Sequence, residues 1–214
     1  MAVAAIVMGL VSCKETDDTI EEYPNWQSKN DAYFAAKYQQ VKSAIANGDT
    51  SWKIFKSYTR DGGSEGVATD YILVRVLREG TGSGYPLYTD SVRVHYRGQI
   101  LASATQVDTS DPDLGKVFDK SWSTDTFDED IFVPAKFGVS GVVDGFSTAL
   151  QHMHIGDRWK VYIPYQLGYY AAERTDVPAY STLVFDLTLA AYYRVGVKVP
   201  TWKSNQYFLW EEKD

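Results

Sequence analysis

Over 214 residues the chain carries 21 Lys and Arg against 28 Asp and Glu, a formal net charge of −7. No basic block is present that could track a phosphate backbone, so nucleic acid is excluded as the expected partner. A hydrophobic fraction of 44% supports one ordinary core with extensions, and sixteen Tyr and six Trp exceed what a minimal core needs. That surplus suits a protein that binds extended polymers such as peptide or glycan.

Residues 2–11 form an apolar run too short to span a bilayer, and it ends at Leu10-Val11-Ser12-Cys13. This ending resembles a bacterial lipobox, which makes Cys13, the sole cysteine, an acylated anchor rather than a redox group. The resemblance implies membrane contact through the lipid and a place in the bacterial cell envelope, periplasmic or at the outer membrane. Residues 14–24 read as an acidic tether. Trp26, Tyr33, Phe34, Tyr38, Val41 and Ile45 then fall at helical spacing until Asn47-Gly48 closes the run. A strand follows at Trp52–Tyr58, and the Gly-rich break Asp61–Gly66 marks an expected domain boundary.

Beyond the break the chain reads as strands. Tyr71–Leu77 is rich in β-formers; Val92, Val94 and Tyr96 alternate with Arg93, His95 and Arg97; Trp159, Val161 and Ile163 alternate with Arg158, Lys160 and Tyr162; and Leu183, Phe185, Leu187 and Leu189 repeat the pattern. Such alternation predicts antiparallel sheet with one buried face. Residues 102–116 are polar and read as a long loop. The run Gly141–Phe146 reads as a tight glycine turn, leading into a short helix at Ser147–Met153 that places Phe146, Leu150 and Met153 on one face. The expected class is α+β, an antiparallel β-sheet curled around one short α-helix, with an N-terminal helical extension. The expected divisions are 1–13 signal, 14–66 tether with helix and leading strand, 67–195 main domain, and 196–214 an aromatic extension docked on the body.

Three ordered motifs, Val92–Gly98, Val117–Ser121 and Phe137–Phe146, resemble the FKBP-type peptidyl-prolyl cis-trans isomerases. The match continues through Gly156-Asp157-Arg158, Ile163-Pro164, Leu167-Gly168-Tyr169 and Val177–Phe185, covering about residues 68–192. The pattern is similar to the macrophage infectivity potentiator branch of envelope isomerases. The resemblance implies an FKBP-like fold and catalysis of X–Pro rotation by Tyr96, Asp119 and Tyr169. It implies a proline-binding pocket of Phe118, Phe137, Val142, Val143, Phe146, Val177 and Phe185, with the Val143 N–H donating to ligand carbonyls. It also implies proline-containing polypeptides as partners, binding of macrolide immunosuppressants, and a homodimer formed through residues 25–46. No cofactor and no metal are implied. Phe146 stands where the family most often has Trp, Tyr170 stands where it usually has Gly, and Ala171–Asp176 replaces a Gly-rich loop.

Other residues read more plainly. His152 and His154, two apart with no third ligand nearby, read as surface residues beside a core Met. His95 reads as outward-facing, and Asp125, Asp128, Glu129 and Asp130 as a solvated turn. Two other functions compete with the isomerase. One is a weakly active or inactive chaperone or binding lipoprotein of the same fold, and the other is an interaction lipoprotein with an aromatic surface for glycan.

Overall fold

The computed structural model describes residues 19–60, 66–124 and 126–202. Cys13, the apolar run before it and the aromatic residues after Trp202 lie outside the described residues. Among the described residues two α-helices and seven strands follow in chain order: α1 (Trp26–Ala46), β1 (Trp52–Lys56), β2 (Tyr71–Arg78), β3 (Ser91–Leu101), β4 (Leu114–Lys120), β5 (Ala135–Gly138), α2 (Asp144–Leu150), β6 (Arg158–Ile163) and β7 (Leu183–Tyr193). Every strand pairing is antiparallel, in the order β1-β2-β6-β7-β3-β4, and β5 pairs with the first half of β3 beside β4. The α+β architecture expected from the sequence is the one observed.

Register explains which residues share a face. Val74, Val161, Phe185 and Gly98 are successive cross-strand partners, so they form one row on one side of the sheet. Helix α2 packs on that side against β1, β2 and β6, adding Phe146, Ala149 and Leu150 to the core. Its approach is unusually close, since a Cβ on Gly145 would sit 2.3 Å from Ile163 Cγ2. The helix therefore begins at Asp144, three residues earlier than the sequence suggested. Gly145 is a helical residue chosen for contact, not the pivot of a turn. Asp144 stands in the first turn, where a carboxylate complements the exposed N–H groups. Met153 still reaches the core, with its N–H bonded to the Leu150 carbonyl.

The expectation of one buried face is corrected. The neighbouring row, Leu73, Tyr162 and Val184, lies on the opposite side and is buried as well. Helix α1 covers it: Lys37 Nζ lies 5.5 Å from the Tyr162 ring centroid, and Phe34 and Val41 are buried in the same core. Its solvent side is mostly polar or small, including Gln27, Ser28, Asp31, Ala35, Gln39 and Lys42, with Ile45 exposed near its end, so most of its apolar stripe is occupied by its own chain. The division expected at Asp61–Gly66 falls between β1 and β2, two strands paired over five residues of one sheet.

His95 also departs from expectation. It is 1% exposed because Phe127 packs on its ring at 5.0 Å, covering the face that alternation alone would leave wet. Among the described residues no helix is long and apolar enough to cross a membrane.

Candidate active site

A cavity of about 210 Å³ opens between β3, β4, β5, α2 and the loop after β6, lined by Tyr96, Phe118, Asp119, Phe137, Gly141, Val142, Val143, Phe146, Tyr169 and Phe185. Nine of these ten were singled out in the sequence; Gly141 is the addition. Val177 is not in the lining. It is buried and exchanges backbone hydrogen bonds with Arg174 across a tight turn.

Phe146, first turn of α2, forms the floor at 4% exposure. Phe185 meets it edge to face, centroids 4.9 Å apart at 85°, and Phe118 meets Phe185 at 5.6 Å and 83°. Tyr96 meets Phe137 at 5.5 Å and Phe146 at 6.2 Å, again edge to face. Each such pair contributes about 0.5–1.5 kcal/mol beyond area burial. The rings thus hold one another apart around an apolar hollow.

Two backbone devices aim these side chains. Between Gly98–Asp119 and Gln99–Val117 the β3–β4 register slips by one residue. Phe118 is the extra residue of the bulge, so Phe118 and Asp119 both turn toward the cavity instead of alternating across the strand. The second device is Gly98 itself. A Cβ there would lie 2.6 Å from both Phe118 Cζ and Phe185 Cε1, so glycine lets the two rings converge above the strand. Gly98 was visible within a motif, but its role follows only from strand pairing.

The polar groups sit at the rim. The Tyr96 hydroxyl donates to Asp119 Oδ2 at 2.8 Å. Burial, the hydrogen bond to Asp119 and that carboxylate's charge raise the Tyr96 phenol above its ordinary range, so it stays a donor throughout the physiological range. Burial and the Asp119 charge raise Tyr169 in the same direction. Arg158 forms a two-pronged pair with Asp186 at 2.9 and 2.6 Å. Val143 precedes α2 in extended backbone, φ −62° and ψ 152°.

The rim segment after Tyr169 is strained. Tyr170, Asp176 and Tyr180 take positive φ values of 55°, 65° and 63°, each costing a non-glycine residue about 1 kcal/mol. Tyr170 thus holds a left-handed backbone that a glycine would adopt freely.

A larger cleft, about 580 Å³, lies at the far end of α2 among Phe55, Tyr58, Tyr85, His152, His154 and Trp159, and holds none of the site residues. His152 stacks on Phe55 at 4.1 Å, and His154 packs on Tyr85 at 4.4 Å. Glu129 of the acidic run forms a bidentate pair with Arg78, 2.7 Å at each prong.

An antiparallel sheet packed on one short helix thus carries a small, mostly aromatic hollow with a Tyr–Asp pair at its rim. The family model of the FKBP-type peptidyl-prolyl cis-trans isomerases matches residues 84–190, half of the chain, and the protein belongs to that family. It is 36% identical over 118 residues to the FKBP-type 22 kDa peptidyl-prolyl cis-trans isomerase of Escherichia coli, covering 54% of this chain and 47% of the relative. It is 33% identical over 119 residues to the macrophage infectivity potentiator of Trypanosoma cruzi, covering 55% and 50%. The chain spans about half the length of these curated relatives. The crystal structure of FkpA from Escherichia coli aligns at 25% identity with a TM-score of 0.45, over 79% of this chain and 65% of that one.

Proposed function

We propose that the protein is a peptidyl-prolyl cis-trans isomerase acting on proline-containing polypeptides. The observation that carries this reading is the mostly apolar, aromatic cavity with Tyr96 and Asp119 joined at its edge. Rotation about an X–Pro amide faces a barrier of about 18–20 kcal/mol, because the planar amide is resonance-stabilised. No bond is made or broken, so a nucleophile is not needed.

Phe118, Phe137, Phe146 and Phe185 enclose the pyrrolidine ring. The twisted amide has lost conjugation and is less polar than the planar one, so transfer into this hollow penalises the ground state more than the transition state. A differential of about 5 kcal/mol raises the rate a few thousandfold. The Val143 N–H and the Tyr169 hydroxyl serve as donors to the substrate's carbonyls. Asp119 fixes the Tyr96 ring through its hydroxyl and places a negative charge beside the rotating carbon–nitrogen bond.

The same pocket supports binding of the macrolide immunosuppressants as competitive ligands. A lipid anchor at Cys13, the sole cysteine, at the end of an apolar run, supports placement in the bacterial envelope, where the substrates are exported chains folding past slow prolines. Radiolabelled palmitate incorporation into the parent and not into Cys13→Ser tests the anchor. Isomerisation of short X–Pro peptides by the parent and by Asp119→Ala tests the activity, with at least a tenfold loss expected in the variant.

A further inference from the structure

The first two turns of helix α1 hold both ends of the segment that carries Tyr169. At the downstream end, Trp26 Nε1 donates to Ser181 Oγ at 2.9 Å, and the Ser181 hydroxyl donates to the Pro178 carbonyl at 2.7 Å. Asn30, wholly buried, accepts the Thr182 N–H at 2.7 Å and donates to the Trp26 carbonyl at 2.8 Å. At the upstream end, Gln27 Nε2 donates to the Tyr165 hydroxyl at 3.4 Å.

Between those anchors the segment is tied to itself. The Tyr170 N–H donates to the Tyr165 carbonyl, Ala172 N–H to Tyr169 and Tyr180 N–H to Tyr170, at 2.8, 3.0 and 2.8 Å. The Arg174 guanidinium lies 5.4 Å from the Tyr169 ring centroid, and Arg174 is itself bridged to Val177. Three non-glycine residues here hold left-handed backbone. Such a conformation persists only when its surroundings over-determine it, and α1 supplies restraints at both ends.

We infer that Trp26 and Asn30 are positioning residues of the active site: helix α1 braces residues 165–182 and so fixes the Tyr169 rim for substrate. The inference rests on the isomerase reading for its kinetic consequence and not for its structural one. With the brace released the rim samples several arrangements, and substrate binding is lowered by the fraction of time the competent one is absent. The loss falls on KM, because Phe146, Phe185 and the Tyr96–Asp119 pair are held by the sheet and α2.

The test uses the full chain with Trp26→Phe, which keeps a ring and removes the N–H; Asn30→Ala; and Val41→Ala, a cavity at the far end of the same helix. Amide hydrogen exchange is read at Ala172 and Tyr180, neither of which bonds to α1, against Val161 in the sheet. Trp26→Phe and Asn30→Ala are expected to speed exchange at Ala172 and Tyr180 at least tenfold relative to Val161. They are also expected to raise KM for an X–Pro peptide five- to tenfold with kcat within twofold. Val41→Ala alters neither ratio. Unchanged exchange at the two loop amides, or equal acceleration at Val161, overturns the brace. A parent protein that accelerates no isomerisation overturns the isomerase reading alone, since exchange still decides the brace.

Discussion

Gly98→Ala is the smallest perturbation that reaches the pocket. The added methyl would stand 2.6 Å from Phe118 Cζ and 2.6 Å from Phe185 Cε1, where ordinary contact begins at 3.4 Å, so each ring must retreat by about 0.8 Å (3.4 less 2.6). Phe185 has little freedom to yield, being 5% exposed and seated edge to face on Phe146 at 4.9 Å. Overpacking of this kind costs about 1–3 kcal/mol of stability. A displacement near 1 Å in a positioned site costs up to about a hundredfold in rate. The expected outcome is a ten- to hundredfold fall in kcat/KM on a short X–Pro peptide, measured by protease-coupled or NMR exchange kinetics, with a lower melting temperature. Gly138→Ala is the control: a Cβ there meets nothing within 4 Å, and its kcat/KM is expected within twofold of the parent. A Gly98→Ala protein with kcat/KM also within twofold would refute the claim that these two rings define the proline site.

Phe146→Trp enlarges the floor beneath a cavity of about 210 Å³. Roughly 40 Å² of added apolar surface at about 25 cal/mol per Å² gives about 1 kcal/mol, or roughly a fivefold lower KM; a raised KM would mean that Phe185 and Tyr96 box the ring too tightly. Tyr96→Phe removes the hydroxyl that donates to Asp119. Because Asp119 is exposed and keeps its water, stability should change by no more than about 1 kcal/mol, while kcat falls several-fold; an unchanged kcat would remove the pair from the mechanism. His95 and His152 are both lowered from the ordinary histidine range, chiefly by burial. Below about pH 6.5 the unfolded chain binds protons that the folded one refuses, so their contribution is complete above 6.5 and lost as pH falls through the folded values. Urea midpoints should drop between pH 7.5 and 5.5, and His152→Phe should lessen the drop.

The strands were legible where one face is dry, because alternation in β3, β6 and β7 records burial directly. His95 and Tyr162 misled for the complementary reason. Phe127 and α1 cover the second face, and coverage from elsewhere in the chain leaves no mark on local periodicity. The helix of α2 was legible but shifted, since Gly145 signals a turn by propensity and serves as a contact residue only because Ile163 lies against it. The pocket aromatics were named from resemblance and ordered motifs. The β4 bulge that turns both Phe118 and Asp119 inward depends on strand register, as does the demand for glycine at position 98. Val177 illustrates the limit of carrying a motif across: its loop bears Tyr170 and Ala171–Asp176, and it is buried without joining the cavity lining. The helical pattern at 26–46 was plain, while the partners of Trp26 and Asn30, more than 150 residues onward, were not.

The central claim is that this aromatic hollow lowers the barrier to X–Pro rotation. Its most direct test is the relaxation rate of a short X–Pro peptide, jumped from its cis-enriched state, as a function of protein concentration. The account predicts a single exponential whose rate rises linearly with the parent protein, is suppressed by a macrolide competitor, and rises at least tenfold less steeply with Asp119→Ala. A rate that stays at the uncatalysed value across micromolar parent protein would contradict it.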